Sequence, residues 1–222
     1  MQSKLKLVVF DMDGVIVREK SSWQILHRYF NVNPYPNLKS YLDGKISYKE
    51  FMELDVKLWI KSANRSIYRS EIEEVLKRSL KFNDGAKEVI DYLKRLNINV
   101  ALITSGIDIM AYTVAKKLGI RDCLCNELKF DVKGKLVGAG IERVPLLDKD
   151  KVVMLYSKSA GYNIRDEVAY IGDSVFDIPV FKVVALPIAY SEDPKVCMHA
   201  KIHFTGTLKK LIELLDCYLQ HY

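Results

Sequence analysis

The sequence predicts an α/β protein: a doubly wound parallel sheet with helices on both faces. Three observations carry this. Short apolar runs recur without polar alternation, as strands buried on both faces require. Amphipathic helical patterns alternate with them. Small, hydroxyl and acidic residues stand directly after three of the runs, where such sheets bind ligands.

The elements follow in order. Residues 5–10 (LKLVVF) form the first strand. Residues 19–80 contain no convincing strand; they read as helices over 21–30, 48–60 and 69–80, with a loop carrying Pro34 and Pro36 between the first two. A helix over 85–97 places Ala86, Val89, Ile90, Leu93 and Leu96 on one face, and residues 99–103 form a second strand. The next helix, 107–118, is closed by Gly119 in the manner of a C-cap. Residues 127–140 alternate around a Lys-Gly turn and predict a β-hairpin. Then come a helix over 148–160, strands over 168–171, 183–189 and 201–204, and an amphipathic helix over 207–219.

Composition narrows the function. Of 222 residues, 49% are apolar, which is enough for a substantial core and argues against global disorder. The net charge of +6 comes from 34 basic against 28 acidic residues, scattered rather than clustered, and it predicts a solvated surface rather than a nucleic-acid face. Cys123 and Cys125 lack the two-residue gap of a zinc pair; with Cys197 and Cys217 they read as small apolar residues of a reducing compartment. The first apolar run is too short, and too soon broken by acid, for a signal peptide, and no run approaches membrane-spanning length. The expectation is a cytoplasmic protein with no membrane partner. The histidines His27, His199, His203 and His221 show no ligand spacing and receive no role. Trp23, Trp59 and Tyr48 suit the core of the helical segment better than a pocket wall.

The residues after the strands form a chemical set. Asp11 and Asp13 follow the first strand, Thr104, Ser105 and Gly106 the second, and Gly172, Asp173 and Ser174 a third, with Asp177 further on. Asp and Gly also suit a plain turn. Carboxylates converging on one cleft repel one another unless a cation neutralises them. Oxygen ligands point to Mg²⁺, and a bound Mg²⁺ attracts phosphate. Thr104 and the amides of Ser105 and Gly106 can hold phosphate oxygens, and Lys149 or Lys151 can complete the neutralisation. One aspartate can then attack phosphorus while the other, two residues on, shuttles the proton.

Asp11–Val15 (DMDGV) resembles the first motif, DxDx[TV], of the haloacid-dehalogenase-like phosphohydrolases, and Gly172–Asp177 (GDSVFD) resembles their fourth, GDxxxD. Thr104 and Lys149 stand in the order of the second and third. The hairpin and the stretch AYIGDSVFDIPVF look most like the phosphoserine-phosphatase-like subfamily. The resemblance implies a Rossmann-like core of residues 1–17 and 81–222, with residues 18–80 as a helical cap domain inserted after the first strand. It implies Asp11 as nucleophile and Asp13 as acid/base. Mg²⁺ would be held by Asp11, the Asp13 carbonyl and Asp173, with Asp177 supporting its water shell. Thr104, Ser105, Gly106 and Lys149 would bind phosphate; spacing to Gly161 prefers Lys149 to Lys151. The implied function is hydrolysis of a small phosphorylated metabolite through an aspartyl-phosphate, by a monomer or homodimer, with phosphoserine one substrate. The chain departs from that substrate's pattern: Lys20 and Asp55 stand where the subfamily has Glu and Arg, and Phe176 replaces an asparagine. A phosphomutase of the β-phosphoglucomutase-like type and a non-catalytic regulatory protein binding a phosphate ligand are the alternatives.

Overall fold

A computed structural model of the chain describes residues 5–220. Its strands are β1 (Leu7–Phe10), β2 (Asn99–Ile107), β3 (Asp122–Phe130), β4 (Leu136–Ile141), β5 (Val168–Gly172), β6 (Leu186–Tyr190) and β7 (Ile202–Phe204). They form one seven-stranded sheet in the order β4-β3-β2-β1-β5-β6-β7. All pairings are parallel except the β3–β4 hairpin. The doubly wound α/β class is therefore as the apolar runs predict.

Alternation along the central strands shows why their middle stretches are apolar. Val8, Phe10, Leu102 and Ile171 join the core on one face, while Leu7, Val9, Ile103 and Tyr170 join that on the other. Both faces are covered there, so neither face of these stretches carries polar side chains to solvent. β1 pairs β2 on one side and β5 on the other, which makes its end a topological switch point. Phe10 is level with both Leu102 and Ile171, so Asp11 and Asp13 continue beside the far end of β2 and the residues that follow β5.

Between β1 and the next core helix lie α1 (Ser22–Tyr29), α2 (Tyr35–Leu42), α3 (Tyr48–Ala63) and α4 (Arg69–Ser79), which add no strand to the sheet. Ser21 caps α1, its side chain accepting from the Gln24 amide; Ser47 and Glu50 form a capping box at α3. The remaining helices of eight residues or more are α5 (Ala86–Arg95), α6 (Asp108–Leu118), α7 (Lys149–Ser159) and, at the end, α8 (Lys210–Gln220).

The structure corrects three local readings. The loop expected at Pro34 and Pro36 is largely α2, because a proline in a first turn removes only an amide that has no helical partner. The second strand does not stop at Ile103: it runs on to Ile107, carrying Thr104, Ser105 and Gly106 with a register shift against β3. The hairpin's first strand begins at Asp122 and joins the main sheet, so Cys123 and Cys125 sit on β3 and pack against the same core.

Candidate active site

The site is built where β1, β2 and β5 end and α7 begins. Asp11 follows β1, and its Oδ1 accepts from the Met12 amide at 2.7 Å. Lys149, the first residue of α7, is 2% exposed. Its ammonium donates to Asp11 Oδ2 at 2.8 Å and to Asp177 Oδ1 at 2.6 Å. Lys151 instead points to solvent and pairs with Asp148, so of the two lysines Lys149 is the one on the cavity floor.

Asp177 is fully committed. Besides Lys149, it accepts from the Tyr170 hydroxyl at 2.7 Å, the Asp173 amide at 3.1 Å, and the amide and hydroxyl of Ser174 at 3.0 and 2.9 Å. A carboxylate offers about four lone-pair sites, so little is left for a ligand. Asp13 is held differently. Its Oδ2 accepts from both the amide and the hydroxyl of Ser22, each at 2.8 Å, while its buried Oδ1 has no protein partner. The Ser105 hydroxyl oxygen is likewise buried without a partner. The Ser105 carbonyl accepts from Trp23 Nε1 at 3.0 Å and Asn126 Nδ2 at 2.9 Å. The Gly106 amide is already engaged, donating to Thr104 Oγ1 at 3.1 Å.

Charge is distributed unevenly. Burial raises the pKa of Asp11, and the Lys149 charge opposes it. Burial raises Asp13 to about 7, against the lowering effect of the Ser22 amide. Burial likewise raises Asp173 to about 6, although Lys20 donates to its Oδ2 at 2.6 Å. Burial alone would raise Asp177 too, but the adjacent Lys149 ammonium prevails and holds it below the ordinary value. Burial works against the Lys149 charge, yet Asp11 and Asp177 together hold its pKa above the usual lysine value.

One carboxylate oxygen each from Asp11, Asp173 and Asp177 lies within 4.8 Å of the others. With Asp177 taken up by its own hydrogen bonds, Asp11 and Asp173 are the carboxylates of this group that suit a hard divalent cation, and the unpartnered Asp13 Oδ1 is polar capacity that the protein leaves unused. Two glycines make the cluster possible. A Cβ on Gly14, whose φ is +74°, would overlap the Asp173 carboxylate, and one on Gly172 would overlap that of Asp177. Above the cluster opens a cavity of about 300 Å³, lined by Asp11, Asp13, Thr104, Ser105, Gly106, Lys149 and Asp173 from the sheet side. Residues of α1 to α3, among them Trp23, His27, Tyr48 and Asp55, line the rest.

The family model for haloacid dehalogenase-like hydrolase matches residues 8–182. This chain belongs to that family. Its relatives include the phosphoserine phosphatase of Methanocaldococcus jannaschii, 28% identical over 197 residues that cover 87% of this chain and 89% of the relative. The phosphoserine phosphatase of Streptococcus thermophilus is 32% identical over 150 residues, covering 66% and 68%. A solved structure described as a phospho-aspartyl intermediate analogue of phosphoserine phosphatase superposes with a TM-score of 0.77 at 26% identity, covering 96% of this chain and 99% of the other. The resemblance to the phosphoserine-phosphatase-like subfamily thus holds in sequence and in fold.

The structure brings all the sequence-predicted site residues together around one cavity, with Asp177 behind Lys149 rather than on the cavity wall. Sequence reasoning missed Ser22, Tyr170 and Asn126, which orient Asp13, Asp177 and the Ser105 carbonyl. No local pattern marks them, because each partner lies elsewhere in the chain or the fold. Tyr48 and Trp59 are buried core residues as expected, Tyr48 also lining the cavity, while Trp23 is only half-buried and lines it too. His27, given no role, is buried against Asp55.

Proposed function

We propose that the chain is a Mg²⁺-dependent phosphatase that hydrolyses a small phosphomonoester through an aspartyl-phosphate on Asp11. As a haloacid dehalogenase-like hydrolase with phosphoserine phosphatases among its relatives, it is a phosphoric monoester hydrolase. The observation that carries the rest is the pairing of Asp11 with buried Lys149 at the cavity floor, two residues from an Asp13 that titrates near neutrality.

Lys149 opposes the burial that raises the Asp11 pKa and so favours the ionised form that attacks. An Asp11 oxygen bonds to phosphorus as the ester P–O bond breaks, and Asp13 gives its proton to the departing alcohol oxygen. Water then attacks the aspartyl-phosphate, Asp13 takes the water's proton, and the phosphorus–Asp11 bond breaks. The products are the alcohol and inorganic phosphate. Burial, which pushes the Asp13 carboxyl up, favours the protonated form that the first step needs. Asp11, the Asp13 carbonyl and Asp173 would hold Mg²⁺, which would supply positive charge beside the phosphoryl oxygens. Thr104 and Ser105 would bind those oxygens, Ser105 Oγ being free to donate. Asp177 acts by fixing Lys149 rather than by touching substrate. The helices of residues 18–80 would act as the cap over the leaving group.

The test is phosphate release with Mg²⁺ from a panel of phosphomonoesters that includes phosphoserine. Asp11→Asn keeps the side-chain shape and is expected to lower release by roughly a thousandfold or more. Equal release by both proteins would sink the proposal.

A further inference from the structure

The wall of the cavity formed by the helices after β1 holds a carboxylate without a balancing charge. Asp55, on α3, is 1% exposed and lines the cavity. Its Oδ1 accepts from Asn37 Nδ2 at 2.8 Å, and its Oδ2 faces His27 Nε2 at 3.2 Å. His27 Nδ1 in turn accepts from Trp59 Nε1 at 2.9 Å. An indole N–H can only donate, so Nδ1 carries a lone pair and the imidazole proton sits on Nε2. Both partners of Asp55 are therefore neutral donors. Among the described residues, no lysine or arginine pairs with it.

A buried carboxylate supplied with hydrogen bonds but no countercharge is costly, and the space that Asp55 lines is the cavity. Each of its oxygens keeps a lone pair beyond the bond it already accepts. Trp23, Tyr48 and Phe51 line the same space, and aromatic faces attract cations. A substrate carboxylate finds no such welcome. The cations lining the cavity are Lys149, bound to Asp11 and Asp177, and Lys20, bound to Asp173. Both stand at the phosphate end.

We propose that the cavity selects the phosphomonoester of an amino alcohol that carries no carboxylate, with Asp55 receiving its ammonium group. This rests on the phosphatase reading above and narrows its substrate. Phosphoserine carries the ammonium but adds a carboxylate, which would lie unpaired near Asp55.

The test compares kcat/KM for phosphate release from phosphoethanolamine, 2-hydroxyethyl phosphate and L-phosphoserine with Mg²⁺. Wild type is expected to prefer phosphoethanolamine to its uncharged isostere by roughly 10- to 100-fold, the usual worth of a charged hydrogen bond. It should prefer phosphoethanolamine to phosphoserine as well. In Asp55→Asn the first preference should fall towards one. Equal or better turnover of the uncharged ester by wild type overturns the amine assignment, equal or better turnover of phosphoserine overturns the exclusion of a carboxylate, and either leaves the phosphatase standing. A preference that survives in a folded Asp55→Asn also overturns the amine assignment. The wild-type comparison decides even if that variant does not fold. If no ester is turned over, the phosphatase reading falls instead. Calorimetric titration of wild type with phosphoethanolamine against 2-hydroxyethyl phosphate then decides amine recognition separately, equal affinities overturning it.

Discussion

At the scale of single residues, the cluster depends on atoms that are missing as much as on those present. Gly14 must adopt φ +74° and must also lack a Cβ, because that atom would occupy the space of the Asp173 carboxylate. These two demands can be separated. Gly134, at the hairpin turn, has a similar φ of +76° with nothing within 4 Å of a built Cβ. Gly134→Ala should therefore cost only backbone strain, roughly 1–2 kcal/mol of stability. Gly14→Ala should add displacement of Asp173, weakening Mg²⁺ binding and phosphate release by about 10- to 100-fold. Calorimetric Mg²⁺ titration of both variants checks this, and matching affinities would show that Asp173 is not a ligand. The aspartates and Thr104 were legible in the sequence because reactive residue types follow recognisable apolar runs, whereas Lys149, at a helix start beside Lys151, was singled out only by the family resemblance. Ser22 was not, since nothing in a serine at a helix start announces that its hydroxyl will bond Asp13 and accept from the Ile107 amide.

At the scale of elements, α3 supplies one wall of the cavity. It places Tyr48, Met52, Asp55, Val56 and Trp59 on its buried side, and its start is fixed by the capping box of Ser47 and Glu50. The Ser47 amide donates to Glu50 Oε2 at 2.7 Å, and the Glu50 amide donates to Ser47 Oγ at 3.2 Å. Ser47→Ala removes one half of that exchange and should destabilise the protein by about 1 kcal/mol, read as a lower urea midpoint at unchanged slope. Where the sequence misread elements, the cause was local punctuation that tertiary structure overrode. Pro34 and Pro36 spoke for a loop, but Pro36 falls in the first turn of α2. Thr-Ser-Gly spoke for the end of β2, yet its backbone stays extended to Ile107. The start of β3 was hidden because Asp122–Asn126 lacks the alternation that marked the rest of the hairpin.

At the scale of the whole molecule, the helices inserted after β1 share a core with the sheet. Leu26, Phe30, Trp59, Ile72 and Leu76 belong to the same buried cluster as Phe10, Leu102 and Ile171. The hairpin ties the insert down from the other side: the Arg69 amide donates to the Gly134 carbonyl at 2.8 Å, and the Leu136 amide to that of Ile67 at 2.8 Å. The Arg69 guanidinium also lies 4.3 Å from the centre of the Phe130 ring. An insert with so much of its apolar surface buried against the sheet cannot unfold without exposing the common core. The sequence provides its own reporter, because its two tryptophans, Trp23 and Trp59, both lie in the insert, whereas far-ultraviolet circular dichroism weighs every helix and strand. The two signals should lose their native values at one urea midpoint, as a single cooperative unit requires. A tryptophan transition that precedes the dichroism change would mean that the insert opens as a unit of its own, and that the shared cluster contributes less to its stability than its burial implies.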